Sequence, residues 1–167
     1  MRWTVLLALP VVFLSSPRSS QGQSREFLKA MHSARCAQVD NASHNNGARI
    51  SQWECVNQPN VRWRKRGADR GYFYLQNINS NKCAQVAGAS KDNGAPITQW
   101  DCVNQANVHW REAPAGEGFV YLVNRASNKC MQVAGAGRSN GAPVTQWQCV
   151  NQGNVKWQFV GAPGGFD

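Results

Sequence analysis

The chain has 167 residues, with 18 Lys and Arg against nine Asp and Glu, a formal charge of +9. At 42% hydrophobic residues it has the material for one domain with a real core, which excludes a chain too polar to fold. Beyond the N-terminal stretch no apolar run approaches the roughly 20 residues a membrane-spanning helix needs.

Arg2 supplies a short basic start, residues 5–14 an apolar run broken only by Pro10, and Ser20-Gln21-Gly22 a small-x-small cleavage site. This pattern predicts a secretory signal peptide over residues 1–24 and a secreted, extracellular product. It carries Arg2 and Arg18 and no acidic residue, so the mature chain stays strongly basic.

From there one block occurs three times, at 36–63, 83–110 and 130–157, each copy starting 47 residues after the last. Sixteen of its 28 positions are identical in all three copies, among them two cysteines, two tryptophans, an Asn-Gly and the string Cys-Val-Asn-Gln. A fixed period of this length means one supersecondary unit used repeatedly. Counting back nine residues from each first cysteine gives Phe27, Tyr74 and Tyr121, each followed by Leu, so the first copy is complete. The expected domain runs over 25–160, with repeats at about 25–66, 67–113 and 114–160 and a flexible tail at 161–167.

Within the second copy, the segments 72–77, 83–86, 96–102 and 108–111 read as strands, and nothing sustains a helical period. The dipeptides Asn46-Gly47, Asn93-Gly94 and Asn140-Gly141 mark tight turns. Four strands per copy predict about twelve, hence an all-β domain. Residues 64–71 and 113–118 read as turn-rich, exposed connections. The cysteines fall two per copy, and the repeat favours closure within each unit: Cys36 with Cys55, Cys83 with Cys102, Cys130 with Cys149. Secretion supplies the oxidising compartment this requires. Neither the cysteine spacing nor His32, His44 and His109, which share no repeat position, forms a zinc pattern; no metal or other cofactor is expected.

The motif Cys36-Ala37-Gln38-Val39, Gln52-Trp53-Glu54-Cys55, Asn60-Val61-Arg62-Trp63, in register in all three copies, resembles that of the ricin B-type lectins, the QxW family. The resemblance covers 25–160 and implies a β-trefoil with pseudo-threefold symmetry, intra-repeat disulfides and carbohydrate binding. It implies that Trp53, Trp100 and Trp147 are the platforms on which a sugar ring lies. The physics agrees: a pyranose has an apolar C–H face, and an indole offers a flat apolar surface with a negative quadrupole. Trp63, Trp110 and Trp157 match the family's core tryptophan, and Val39, Val86, Val133, Ile50, Ile97 and Val144 belong to the core with them. Asn60, Asn107 and Asn154 match its sugar-contacting asparagine. Gln38, Gln85 and Gln132 stand where sugar-binding members usually carry aspartate, and Val61, Val108 and Val155 stand where they usually carry glutamine. The neutral glutamine amide can accept and donate, whereas an aspartate only accepts, with charge assistance; the alternative is a solvated strand-end amide. Asn57-Gln58, Asn104-Gln105 and Asn151-Gln152 add amides nearby, as replacement contacts or turn caps.

Catalysis is not expected. Glycoside hydrolysis needs two carboxylates at a set separation, and the third copy has none. The basic stretch Arg62, Arg64, Lys65, Arg66, Arg70 suits an anionic glycan or a membrane surface, the alternative being a solvated turn. Asn41-Ala42-Ser43 is an N-glycosylation sequon. The expected partners are glycans, of galactose type or anionic, and not nucleic acid. The rival reading is a protein-binding trefoil, either a protease inhibitor acting through 64–71 or a toxin-associated targeting module; a growth-factor-like trefoil fits the three disulfide units poorly.

Overall fold

The computed structural model describes residues 25–162; the expected signal peptide and most of the expected tail lie outside them. Twelve strands follow in chain order: β1 Glu26–Ala30, β2 Cys36–Val39, β3 Ile50–Trp53, β4 Arg62–Gly67, β5 Phe73–Asn77, β6 Cys83–Val86, β7 Ile97–Trp100, β8 His109–Gly116, β9 Phe119–Asn124, β10 Cys130–Val133, β11 Val144–Trp147 and β12 Trp157–Gly161. All pairings are antiparallel. Strands β1, β4, β5, β8, β9 and β12 pair in a closed ring, β12 returning to β1. This is a six-stranded barrel, which abolishes free sheet edges. The hairpins β2–β3, β6–β7 and β10–β11 form the other layer. Single bridges Arg49 to Thr98, Pro96 to Thr145 and Pro143 to Ser51 tie each hairpin to the next. The architecture is a β-trefoil.

The core follows from the repeat. Leu28, Leu75 and Leu122 join Trp63, Trp110 and Trp157, all essentially inaccessible, with Val39, Val86, Val133, Ile50, Ile97 and Val144 above them. Each buried indole N–H also donates to a carbonyl: Trp63 to Ala37 at 2.9 Å, Trp110 to Ala84 at 2.8 Å, Trp157 to Met131 at 2.8 Å. Its apolar ring is thus buried without orphaning its one polar atom. The three disulfides close within their repeats as expected, each with a Cα–Cα distance of 5.1 Å.

Several boundaries differ from expectation. Residues 64–67 and 113–116 are not connections but the ends of β4 and β8, cross-paired with β5 and β9, though Lys65, Gly67, Pro114 and Gly116 are exposed as expected. Their charged residues alternate: Lys65 turns toward the barrel mouth, 2.9 Å from Glu112 and over the Phe159 ring, while Arg64 and Arg66 lie on the other face. In the segment expected to be a strand from Val108, that residue closes a 3-10 turn, Ala106–Val108, and β8 begins at His109. At the C-terminus, Gly161 pairs with Glu26, and Ala162 donates to the Arg25 carbonyl at 3.3 Å, so both belong to the fold rather than to a tail.

Candidate functional site

Each repeat builds the same cleft. Its wall is the tryptophan that ends the second hairpin strand, directly across the ladder from the first cysteine: Trp53 opposite Cys36, Trp100 opposite Cys83, Trp147 opposite Cys130. These indoles are 39%, 41% and 40% exposed, beside core tryptophans at zero. The sequence distinguishes the two sets by position, and the structure separates them completely.

The floor is a buried amide pair. Gln38, Gln85 and Gln132 are buried, as are Asn60, Asn107 and Asn154. The asparagine Nδ2 donates both hydrogens, to the glutamine Oε1 (3.2, 3.0 and 3.1 Å) and to the carbonyl of Val39, Val86 or Val133 (3.1, 3.1 and 3.0 Å). Glutamine Nε2 donates onward, to Thr98 Oγ1 at 3.3 Å in the second copy and to Thr145 Oγ1 at 3.1 Å in the third. The solvated-amide alternative for these glutamines is therefore incorrect. Their strands are only four residues long and buried on both faces, because the segment carrying the asparagine folds over the side that would otherwise be wet. What remains for a ligand in the second and third clefts is the asparagine oxygen as acceptor, together with one N–H and one lone pair of the glutamine; in the first, Gln38 Nε2 faces both Ser51 Oγ and Asp40 Oδ1 at 3.4 Å, leaving the acceptors. Two neighbouring hydroxyls, one donating and one accepting, fit that set.

All nine expected residues line three clefts of about 500, 380 and 460 Å³, one triad in each: Gln38, Trp53, Asn60; Gln85, Trp100, Asn107; Gln132, Trp147, Asn154. Gln58, Gln105 and Gln152 line them too, so these amides face the clefts. The valines at 61, 108 and 155 do not. They are fully buried; Val61 packs with Cys36 and Phe27, Val155 with Cys130 and Val123. The rim opposite the indole is a tight turn whose central residue, Asn41, Gly88 or Gly135, is left-handed with φ 54°, 60° or 58°. Asn41, the sequon residue, is exposed in the first cleft.

Sequence reasoning assigned no role to Gln52, Gln99 and Gln146, which precede the platform tryptophans and are fully buried. Each staples the Asn-Gly loop of another repeat. Gln52 Nε2 donates to Gly137 and Ser139 carbonyls at 2.8 and 2.9 Å, and its Oε1 accepts from Ser33 at 2.7 Å. Gln99 holds Ser43 and Asn45 in the same way, and Gln146 holds Ser90 and Asp92. Gly141, at the end of the loop Gln52 holds, lines the first cleft. The only advance signal was identity in all three copies.

The basic stretch forms no single patch. Arg64 bonds Gln76 and Asn81, Arg66 stacks over Tyr74 with 4.7 Å to the ring centroid, and Arg70 lies 3.6 Å from Asp69. The expected inhibitory loop is thus a paired strand and a short turn. Asp69 is held below the usual carboxylate range first by its hydrogen bond from Arg125, and Asp101 by its bond from Lys82. His109 is pushed down by burial, then by the Arg125 charge. No helix among the described residues is long and apolar enough to cross a membrane.

The family model for ricin-type beta-trefoil lectin domain-like proteins matches residues 2–100, 62–147 and 106–166. A designed threefold-symmetric protein, ThreeFoil, is similar in structure with TM-score 0.80 and 33% identity, over 81% of this chain and 97% of its own. An exo-beta-1,3-galactanase of Clostridium thermocellum gives TM-score 0.80 and 25% identity over 83% of this chain, which spans only 30% of the enzyme. The Rhizoctonia solani agglutinin shares the fold, with TM-score 0.76 and 16% identity over 94% of this chain and 99% of its own. A search of curated protein sequences returned no match. With the family model matched across all three repeats, the chain belongs to the ricin-type β-trefoil lectin-like family.

Proposed function

We propose that the protein is a secreted, non-catalytic lectin with three carbohydrate sites, each using a tryptophan platform and a Gln–Asn amide pair. The observation that carries this reading is the threefold recurrence of an exposed indole over a buried amide pair. A protein tolerates so large an exposed apolar ring at equivalent points chiefly where something covers it. A sugar ring with its C–H face on the indole sets its hydroxyls over the amides. The glutamine adds a donor where an aspartate would offer only acceptors, so the preferred sugar presents one donating and one accepting hydroxyl.

The clefts themselves support a binding rather than a hydrolytic role. Among the described residues, Asp40 lines the first and no carboxylate lines the second or third, whereas hydrolysis takes a pair. Three disulfides suit an oxidising, extracellular setting. Single shallow sites of this kind bind in roughly the millimolar to micromolar range, and three on one rigid body gain avidity on a multivalent surface.

The test is a glycan array with the mature protein and its Trp53→Ala, Trp100→Ala and Trp147→Ala forms. Each change is expected to weaken retention while shifting stability by less than about 1 kcal/mol, because the ring is already partly in water. If the triple variant keeps full glycan binding, the platform role is wrong.

A further inference from the structure

The first cleft differs from its two counterparts by charge. Where repeats two and three carry Ala87 and Pro96, or Ala134 and Pro143, repeat one carries Asp40 and Arg49. Both line the cleft with Trp53. Arg49 Nε donates to Asp40 Oδ2 at 2.7 Å. The other carboxylate oxygen accepts from the Ser51 hydroxyl and, at 3.4 Å, from Gln38 Nε2. The backbone fixes the pair as well: Asp40 N–H donates to the Arg49 carbonyl at 3.0 Å, and Arg49 bridges to Thr98 of the next repeat.

The carboxylate is therefore seated at the base, its side chain 20% exposed, and the guanidinium stands above it at 53%. Arg49 spends one nitrogen on Asp40. Its two terminal amino groups make no hydrogen bond among the described residues. Two parallel N–H donors in a planar fork match a carboxylate or sulfate bidentately. Asp40 neutralises part of the attraction for small free ions, so an anion gains fully only when its ring also lies on Trp53. Proline at the corresponding places in the other clefts offers no side-chain donor.

We propose that the first cleft is an acidic-saccharide subsite: the ring of a uronic acid or sulfated sugar lies on Trp53 while Arg49 holds its anionic group, and the other two clefts take neutral sugars. The proposal rests on the lectin reading above and assigns the ligand class of one of its three sites.

Isothermal titration separates the two. The probes are a uronic-acid disaccharide, a sulfated disaccharide and the neutral disaccharide of the same backbone. Arg49→Pro, which installs the residue of the other repeats, is expected to weaken acidic binding about tenfold and neutral binding less than about twofold. The uronate and the sulfate report separately which anion is preferred. Grafting the pair into the third repeat, Ala134→Asp with Pro143→Arg, is expected to raise acidic stoichiometry from one to two. Raising the salt concentration is expected to weaken the acidic probes alone. Acidic affinity unchanged in Arg49→Pro, with neutral binding still lost in Trp100→Ala/Trp147→Ala, overturns this proposal and leaves the lectin reading intact. Binding of every probe unchanged by all three tryptophan changes overturns the lectin reading, and the proposal with it.

Discussion

Replacing Gln52 by methionine tests whether the repeats hold one another through side-chain amides. Methionine has similar length and no hydrogen-bonding amide, so packing is nearly preserved in this fully buried position. Three bonds disappear: two donations to Gly137 and Ser139 carbonyls and the acceptance from Ser33. Ser33 and Gly137 are half-buried and Ser139 is exposed, so water reaches the abandoned partners in part. The cost should then be the net value of each bond, about 1 kcal/mol, rather than the full penalty of a sealed orphan, giving about 3 kcal/mol in total. For a domain of this size that corresponds to a fall in Tm of about 10 °C. Urea unfolding with the disulfides intact measures it. Ser33→Ala alone should cost about 1 kcal/mol and add almost nothing to Gln52→Met, because the two share a bond. A loss below about 1 kcal/mol for Gln52→Met would refute the reasoning, since it would mean that the backbone bonds of residue 52 to Gly141 and Ala142, with the His32 and Arg35 contacts, suffice to keep the 137–141 loop in place.

Trp110→Ala should cost about 3–5 kcal/mol, the range for emptying a buried indole site, in contrast to the near-neutral Trp100→Ala; equal costs in chemical denaturation would contradict the core and surface assignment. Stability should fall as pH drops below the ordinary histidine value of 6.5, because burial and then the Arg125 charge make His109 harder to protonate in the native state. Its folded pKa lies below its unfolded one, so on acidification the unfolded chain takes the proton first, and the contribution is fully present above 6.5 and lost beneath it. The slope is at most about 1.4 kcal/mol per pH unit for one proton. Arg125, 3.1 Å from Nδ1 and itself paired with Asp69, and Tyr74, edge-on at 4.8 Å, surround the ring. Asp69 and Asp101 act in a lower window, below 3.8. Denaturation at pH 7 and pH 5 reads the effect, and His109→Asn should flatten it.

What was legible in the sequence was whatever the repeat states three times. The two tryptophans of each copy separate because one follows an Asn-Val pair inside a strand and the other precedes a cysteine at a strand end. Both environments are local. The burial of Gln38 was not legible, because alternation assigns a strand one wet face, and here the chain at Asn60 covers it. Nor was the role of Gln52, two of whose three partners are backbone carbonyls 85 and 87 residues away that leave no trace in side-chain pattern. The extent of β4 was hidden by its charges. Arg64, Lys65 and Arg66 read as a solvated loop, yet their aliphatic stems and cross-strand partners suit a barrel wall whose mouth is open to water.

The staples make the clefts interdependent. Gln52 of the first repeat grips the third, Gln99 of the second grips the first, and Gln146 of the third grips the second. The ring closes only when all three are present, as does the barrel, where β12 must return to β1. A single repeat would leave its core tryptophan wet and its Asn-Gly loop unheld, so no cleft survives excision. For the proposed lectin, multivalency is then a consequence of the fold. The three indoles are fixed on one body, and successive contacts with a polymeric glycan cost no flexible-linker entropy between sites. It also explains how the first cleft could diverge. Asp40 lies at its base against Gln38 and Arg49 at its mouth, both outside the staple, so charge could enter there without loosening the ring that holds the other two.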